Sequence, residues 1–100
     1  MVMFKRTRDF LHNLLFGRRF PFTLESAGRD RLFYIEDGRR FEVIGELLMS
    51  GFVIYVDELT EVVGSGPMDE RPRVKVTPLE KERIVKNIKS TARDGYYTIG

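Results

Sequence analysis

Cysteine is missing from this chain, and its absence excludes a large block of chemistry. No disulfide framework can brace the fold, and no thiolate can serve as nucleophile or zinc ligand. Stability is left to packing, which suits a reducing compartment. Histidine, the commonest general acid or base near neutral pH, occurs once, as His12. No nucleophile or orienting group accompanies it, so we read it as an ordinary helix residue. No His, Cys or carboxylate cluster has metal-ligand spacing. Gly64-Ser65-Gly66 is not followed by the Gly-Lys-Ser/Thr of a phosphate loop. No apolar stretch approaches the roughly 20 residues of a membrane span. Repeats and low-complexity tracts are missing too. These absences point away from an enzyme or any cofactor, and toward a protein that acts by binding.

What is present describes an ordinary globular chain. One hundred residues, 42% hydrophobic and 32% charged, can bury one modest core, so we expect a single domain over 1–100. The formal charge of +2 is unevenly placed. Lys5, Arg6, Arg8, Arg18 and Arg19 against Asp9 give the first twenty residues +4, leaving −2 for the other eighty. Asp57, Glu58, Glu61, Asp69 and Glu70 give the stretch 57–70 a local −5 with no base. The sequence pI of about 9.1 therefore belongs largely to the N-terminal segment.

That segment has the pattern of an amphipathic helix. Phe4, Phe10, Leu11, Leu14 and Leu15 recur at helical spacing between charged residues, which predicts a helix over about 3–16 ending at Gly17. Arg8, Asp9, His12 and Asn13 interrupt the apolar run and no small-residue cleavage site follows, so a secretory signal is not expected. We expect a folded part of a cytoplasmic protein.

From Phe20 the period becomes extended. Strands are predicted at about 20–26, 31–36, 39–45 and 52–57, with Asp37-Gly38 as a type I′ hairpin turn between the second and third. Phe52-Val-Ile-Tyr-Val56 is nearly continuous and apolar, as in a central strand buried on both faces. Residues 58–76, broken by Gly64-Ser65-Gly66-Pro67 and Arg71-Pro72, read as an acidic loop. Thr77-Pro78-Leu79-Glu80 is a capping box, opening a helix over about 78–94 that Gly95 ends. Its inward stripe is Ile84, Val85, Ile88 and Ala92, with Lys81, Glu82, Arg83, Lys86 and Lys89 toward water. A final edge strand is predicted at about 96–99, where Tyr96 and Tyr97 must point to opposite sides, leaving one at the surface. The fold class is then α+β: an antiparallel sheet of about four or five strands packed by an N-terminal and a C-terminal helix.

Two constellations could bind. Asp57, Glu58, Glu61, Asp69 and Glu70 around the Gly-Pro loop would concentrate negative potential, speeding encounter with a basic partner. Alternatively Lys5, Arg6, Arg8, Arg18 and Arg19 could meet nucleic acid or an anionic membrane surface. No RNP-type stacking motif accompanies those bases, and the apolar stripe of that helix is equally explained by packing on the sheet.

Taken in order, Tyr34-x-Glu36-x-Gly38-x-Arg40, Glu46 and Gly51-x-x-x-Tyr55 carry a family pattern. It continues with Thr77-x-x-Glu80-Lys81-x-x-Ile84-x-x-Asn87-Ile88 and a closing Gly95-Tyr-Tyr-Thr-Ile99. Over about 30–99 the chain resembles the small bacterial immunity proteins of polymorphic-toxin and contact-dependent growth inhibition systems, in the family numbered seventy-four. The resemblance implies a cytoplasmic toxin inhibitor with no catalytic residues and no small-molecule cofactor, which covers the active site of one cognate toxin. Many such toxins are basic nucleases, so Asp57, Glu58, Glu61, Asp69 and Glu70, with Glu36 and Asp37, would be the toxin-binding residues.

Overall fold

In the computed structural model, residues 20–100 are described; the helix expected over 3–16 lies outside the described residues, as do His12 and the basic residues Lys5, Arg6, Arg8, Arg18 and Arg19. The organising element is the hairpin that Asp37-Gly38 predicts. Both residues have positive φ, 53° and 76°, as a type I′ turn requires. The turn joins β2 (Arg31–Glu36) to β3 (Arg39–Leu48) with Glu36 opposite Arg39. β1 (Thr23–Ser26) lies antiparallel on the outer side of β2.

The ten-residue β3 is longer than expected and carries two partners on its other edge. Its second half pairs with β4 (Gly51–Ile54), and its first half pairs with β5 (Thr60–Val62). The strand expected to reach residue 57 stops at Ile54, because the chain turns there into a 3-10 segment, Val56–Glu58. Glu58 N–H donates to Tyr55 O (2.9 Å) and Leu59 N–H to Val56 O (3.1 Å), closing the turn. Leu59, 1% exposed, then pulls the chain back to the sheet.

The expected loop over 58–76 is therefore largely structured. β5 and β6 (Arg73–Lys75) form an antiparallel hairpin, with Thr60 opposite Lys75 and Val62 opposite Arg73. Only residues 63–72 connect them, and they include a second 3-10 turn, Met68–Glu70. Arg73 Nη1 holds that connection by donating to the carbonyls of Met68 (2.9 Å) and Arg71 (2.7 Å).

Helix α1 (Pro78–Lys89) starts where the capping motif puts it. Thr77 Oγ1 accepts the Glu80 N–H at 3.2 Å. The reciprocal half of the box is not made, because the Glu80 carboxylate is drawn to two arginines described below. The helix also ends earlier than expected: Ser90 caps it, and Ala92 to Gly95 belong to the turn that follows. The final strand, β7 (Tyr97–Ile99), lies at the sheet edge as expected, but it runs parallel to β4, since α1 carries the chain back across the sheet. The result is an open sheet of seven strands, six joined antiparallel and one parallel. Tyr96 and Tyr97 are both half-buried, in edge-to-face contact at 4.9 Å, because Tyr96 precedes the strand and escapes its alternation.

One face of the sheet is covered by α1. Leu24, Leu32, Tyr34, Phe41, Val43, Phe52, Ile54 and Leu59 meet Ile84, Val85 and Ile88 there. Each of the three helix residues contributes roughly 2 kcal/mol by leaving water. Phe22 stacks on Tyr34 at 4.9 Å, and Asn87 Nδ2 donates to the Tyr34 hydroxyl at 2.8 Å, which ties the middle of α1 to the sheet. No helix among the described residues is long and apolar enough to cross a membrane.

Candidate partner-binding site

The carboxylates expected to meet a partner fall into three environments. Glu36 and Glu61 project beside α1 and are neutralised there. Arg39 donates to Glu61 through both Nε (3.0 Å) and Nη2 (2.9 Å), and to Glu80 through Nη1 (2.8 Å) and Nη2 (3.1 Å). Arg83 donates to Glu36 and, at 3.2 Å, to Glu80. Two guanidiniums thus serve three carboxylates and clamp the start of α1 to the ends of β2, β3 and β5. The bonds from Arg39 hold the Glu61 and Glu80 carboxyls below their usual range, and Glu61 in turn raises Arg39.

Asp69 lies toward the opposite face of the sheet. Its side chain is 80% exposed, and Arg31 Nη1 reaches it at 3.4 Å. Arg31 is itself engaged at 2.9 Å with Glu42, which Arg73 also grips through Nε at 3.1 Å and Nη2 at 3.2 Å. Glu42 is only 9% exposed. The Arg73 hydrogen bonds, followed by those of Arg31, lower its pKa against the opposing effect of burial. Nearby, the guanidiniums of Arg31 and Arg40 lie over Phe33 at 5.2 and 5.1 Å, and Arg40 Nη1 donates to Glu25 at 3.0 Å. The sheet face turned away from α1 is therefore built of arginine–carboxylate bonds and cation–π contacts.

Asp57 and Glu58 form the third environment. Both are exposed, they are chain neighbours, and among the described residues neither has a basic partner. Glu70 and the turn residue Asp37 are exposed as well. The seven residues are thus not one cluster: Glu36 and Glu61 are paired beside α1, Asp69 sits by Arg31, and Asp57–Glu58 stand alone on a fixed turn.

Sequence reasoning gave no role to Glu42, Arg31, Arg39 or Arg73, and read Glu80 as half of a capping box and Arg83 as a water-facing helix residue. One signal was available for Glu42, a charged residue between Phe41 and Val43 in a strand pattern. For the others only the register of β2, β3 and β5 shows the pairing. Among the described residues no group of three or more His, Cys, Asp or Glu is arranged to hold a metal ion. What this surface can do chemically is attract and orient cationic groups. Comparison with protein-family models, with curated proteins and with solved structures gave no match to the chain.

Proposed function

We propose that this protein is a binding module that neutralises a basic protein partner: a cytoplasmic immunity protein that covers the active site of a cognate, nuclease-type bacterial toxin and has no catalytic step of its own. The observation that carries this reading is the Asp57–Glu58 pair. Its 3-10 turn is hydrogen-bonded on both sides and anchored by buried Leu59, so two unpaired carboxylates are displayed with little conformational freedom left to lose on binding. Such charges accelerate encounter and set orientation, and affinity comes from a few buried anchors. The resemblance noted above supports the same reading. Within it, Asp57 and Glu58 lead the contact, with Asp37, Asp69 and Glu70 adding to the field. Glu36 and Glu61 act at second hand, by holding Arg83 and Arg39.

The test is to identify the genes beside the one for this chain and, with a toxin domain encoded there, to measure rescue and binding kinetics; no toxin gene beside it would count against the reading. Co-expression should restore growth, and the double variant Asp57→Lys/Glu58→Lys should slow association roughly tenfold while weakening its salt dependence. Unchanged association across the salt range would reject this surface. Salt-sensitive binding of the intact chain to nucleic acid or anionic vesicles, lost on deleting residues 1–19, would instead favour the basic-helix alternative.

A further inference from the structure

A groove of about 450 Å³ opens between α1 and the sheet, and no residue of the arginine–carboxylate networks lines it. Val56, Val85 and Ile99 give it an apolar floor, and Glu82, Lys86 and Lys89 line it from the helix. Its volume is that of a small-ligand site, about 300–1,000 Å³. Val56 is half-buried and Ile99 is 50% exposed, so aliphatic surface faces water here with no described element covering it.

The groove follows from how α1 meets the sheet. Ile84 and Ile88 are fully buried and set the inner line of the helix, and Val85 lies at the margin of that line. Glu82, Lys86 and Lys89 follow at four- and three-residue steps, a stripe about 10 Å long at the helical rise. On the sheet side, Ile99 stands opposite Ile54, whose side chain is in the core beneath α1. The chain then leaves β4 and enters its 3-10 turn at Val56. Three aliphatic side chains from three elements therefore meet beside a charged helical rim.

The rim has a polarity. Lys86 and Lys89 have no hydrogen bond and no carboxylate partner among the described residues, while Glu82 lies one turn nearer the helix start. Neither Asp57 nor Glu58 lines the groove. Lysines in a last turn stabilise a helix by themselves, but their two full charges outweigh the partial charge of about −0.5 at its C-terminus. A carboxylate is therefore attracted toward the Lys86–Lys89 end and repelled from the Glu82 end, and the uncovered floor beside them suits an apolar chain.

From this arrangement we infer that the groove binds a small amphipathic carboxylate, a free medium-chain fatty acid, with its head between Lys86 and Lys89 and its chain on Val56, Val85 and Ile99. Concave apolar surface with a few placed polar groups is the ordinary make-up of such a site. The inference is independent of the Asp57–Glu58 reading, because it uses other residues and a ligand of opposite charge to that partner.

The test titrates the isotope-labelled full chain with decanoate, hexanoate and decylamine, following backbone amide shifts. Decanoate should move Val56, Val85–Lys89 and Tyr97–Gly100. A fully buried methylene is worth about fourfold in affinity, and a groove open on one side reaches about half of that burial, so decanoate should bind about tenfold more tightly than hexanoate. Decylamine carries the same tail on a cation and should bind about tenfold more weakly than decanoate. Lys86→Gln/Lys89→Gln should remove that preference, and because both lysines are exposed its circular dichroism should be unchanged. No shifts up to millimolar decanoate, equal affinity for decanoate and hexanoate, or decylamine binding as tightly as decanoate would overturn the proposal on the native chain alone. So would undiminished decanoate binding by the double variant, or binding to anionic vesicles with none to free decanoate.

Discussion

Replacing Glu42 tests the energetics of the sheet face away from α1. Its carboxylate accepts three hydrogen bonds, one from Arg31 Nη1 and two from Arg73. Each bond to a charged group is worth about 1.5–3 kcal/mol when its partner is stranded. The stranded guanidiniums are not fully dry, since Arg73 and Arg31 keep 22% and 29% of their side-chain exposure and recover some water. Desolvation of Glu42 itself also offsets part of the gain. Glu42→Ala should therefore cost about 2–3 kcal/mol rather than the sum of three bonds, lowering Tm by roughly 10–20 °C. Glu42→Gln keeps the shape and one acceptor, and should cost about half as much. Urea denaturation followed by circular dichroism would measure both, with the denaturant slope unchanged. The pH dependence gives a sharper check. The folded pKa of Glu42 is depressed, so its contribution is fully present above the unfolded carboxylate pKa and is lost as pH falls through the folded value. The stability gap between the native chain and Glu42→Gln should shrink between about pH 6 and pH 3. A gap that stays constant over that range, or an alanine cost below about 0.5 kcal/mol, would refute the reasoning.

Two further substitutions probe the core and the sheet. Tyr34→Phe removes the hydroxyl that accepts from Asn87 Nδ2 and should cost about 1 kcal/mol in a denaturant titration, with Asn87→Ala adding little on top of it because the two share one bond. Gly45 faces β4 so closely that a Cβ would overlap the Val53 carbonyl oxygen and the Phe52 ring. Gly45→Ala should force the β3–β4 pairing apart and cost at least about 3 kcal/mol, seen as loss of slow-exchanging amides at Phe52–Ile54.

The hairpin and the helix start were legible because their signals are local. Asp37-Gly38 supplies positive φ at two adjacent residues, and Thr77-Pro78 supplies a cap and a fixed φ, whatever surrounds them. The seven-strand sheet was not legible in the same way. β5 and β6 are three residues each, and Thr60-Glu-Val62 and Arg73-Val-Lys75 alternate only briefly beside the strong breakers Gly64, Gly66, Pro67 and Pro72. Such short strands are held by β3 rather than by their own composition, so a window along the chain sees the breakers and misses the partner. The early stop of β4 has the same origin. Val56 suits a strand, but burial of Leu59 favours a detour that no local preference announces. The helix ran short because Ala92 continued the apolar spacing, while Ser90 and the residues after it formed the turn into β7.

The acidic stretch shows why charge read along a chain overstates charge felt by a partner. Counted in sequence, residues 57–70 carry five carboxylates and no base. In space, β3 lays Arg39 against Glu61, and β2 brings Arg31 to Asp69. Both arginines come from more than twenty residues away, so pairing by the fold cancels what the local sum leaves open. Asp57 and Glu58 escape this because they lie on a turn that leaves the sheet, where among the described residues no arginine pairs with them. Exposure alone would not distinguish them from Asp69, which is also largely exposed. The distinction is that their charge has no counter-ion on the described surface, whereas Arg31 reaches Asp69. For a partner that arrives by electrostatic attraction, those two residues outweigh the other five, and charge reversal there should change association more than reversal of Glu36 and Glu61 together. Reversing Glu36 and Glu61 would instead release Arg83 and Arg39, and its first effect would be on the docking of α1.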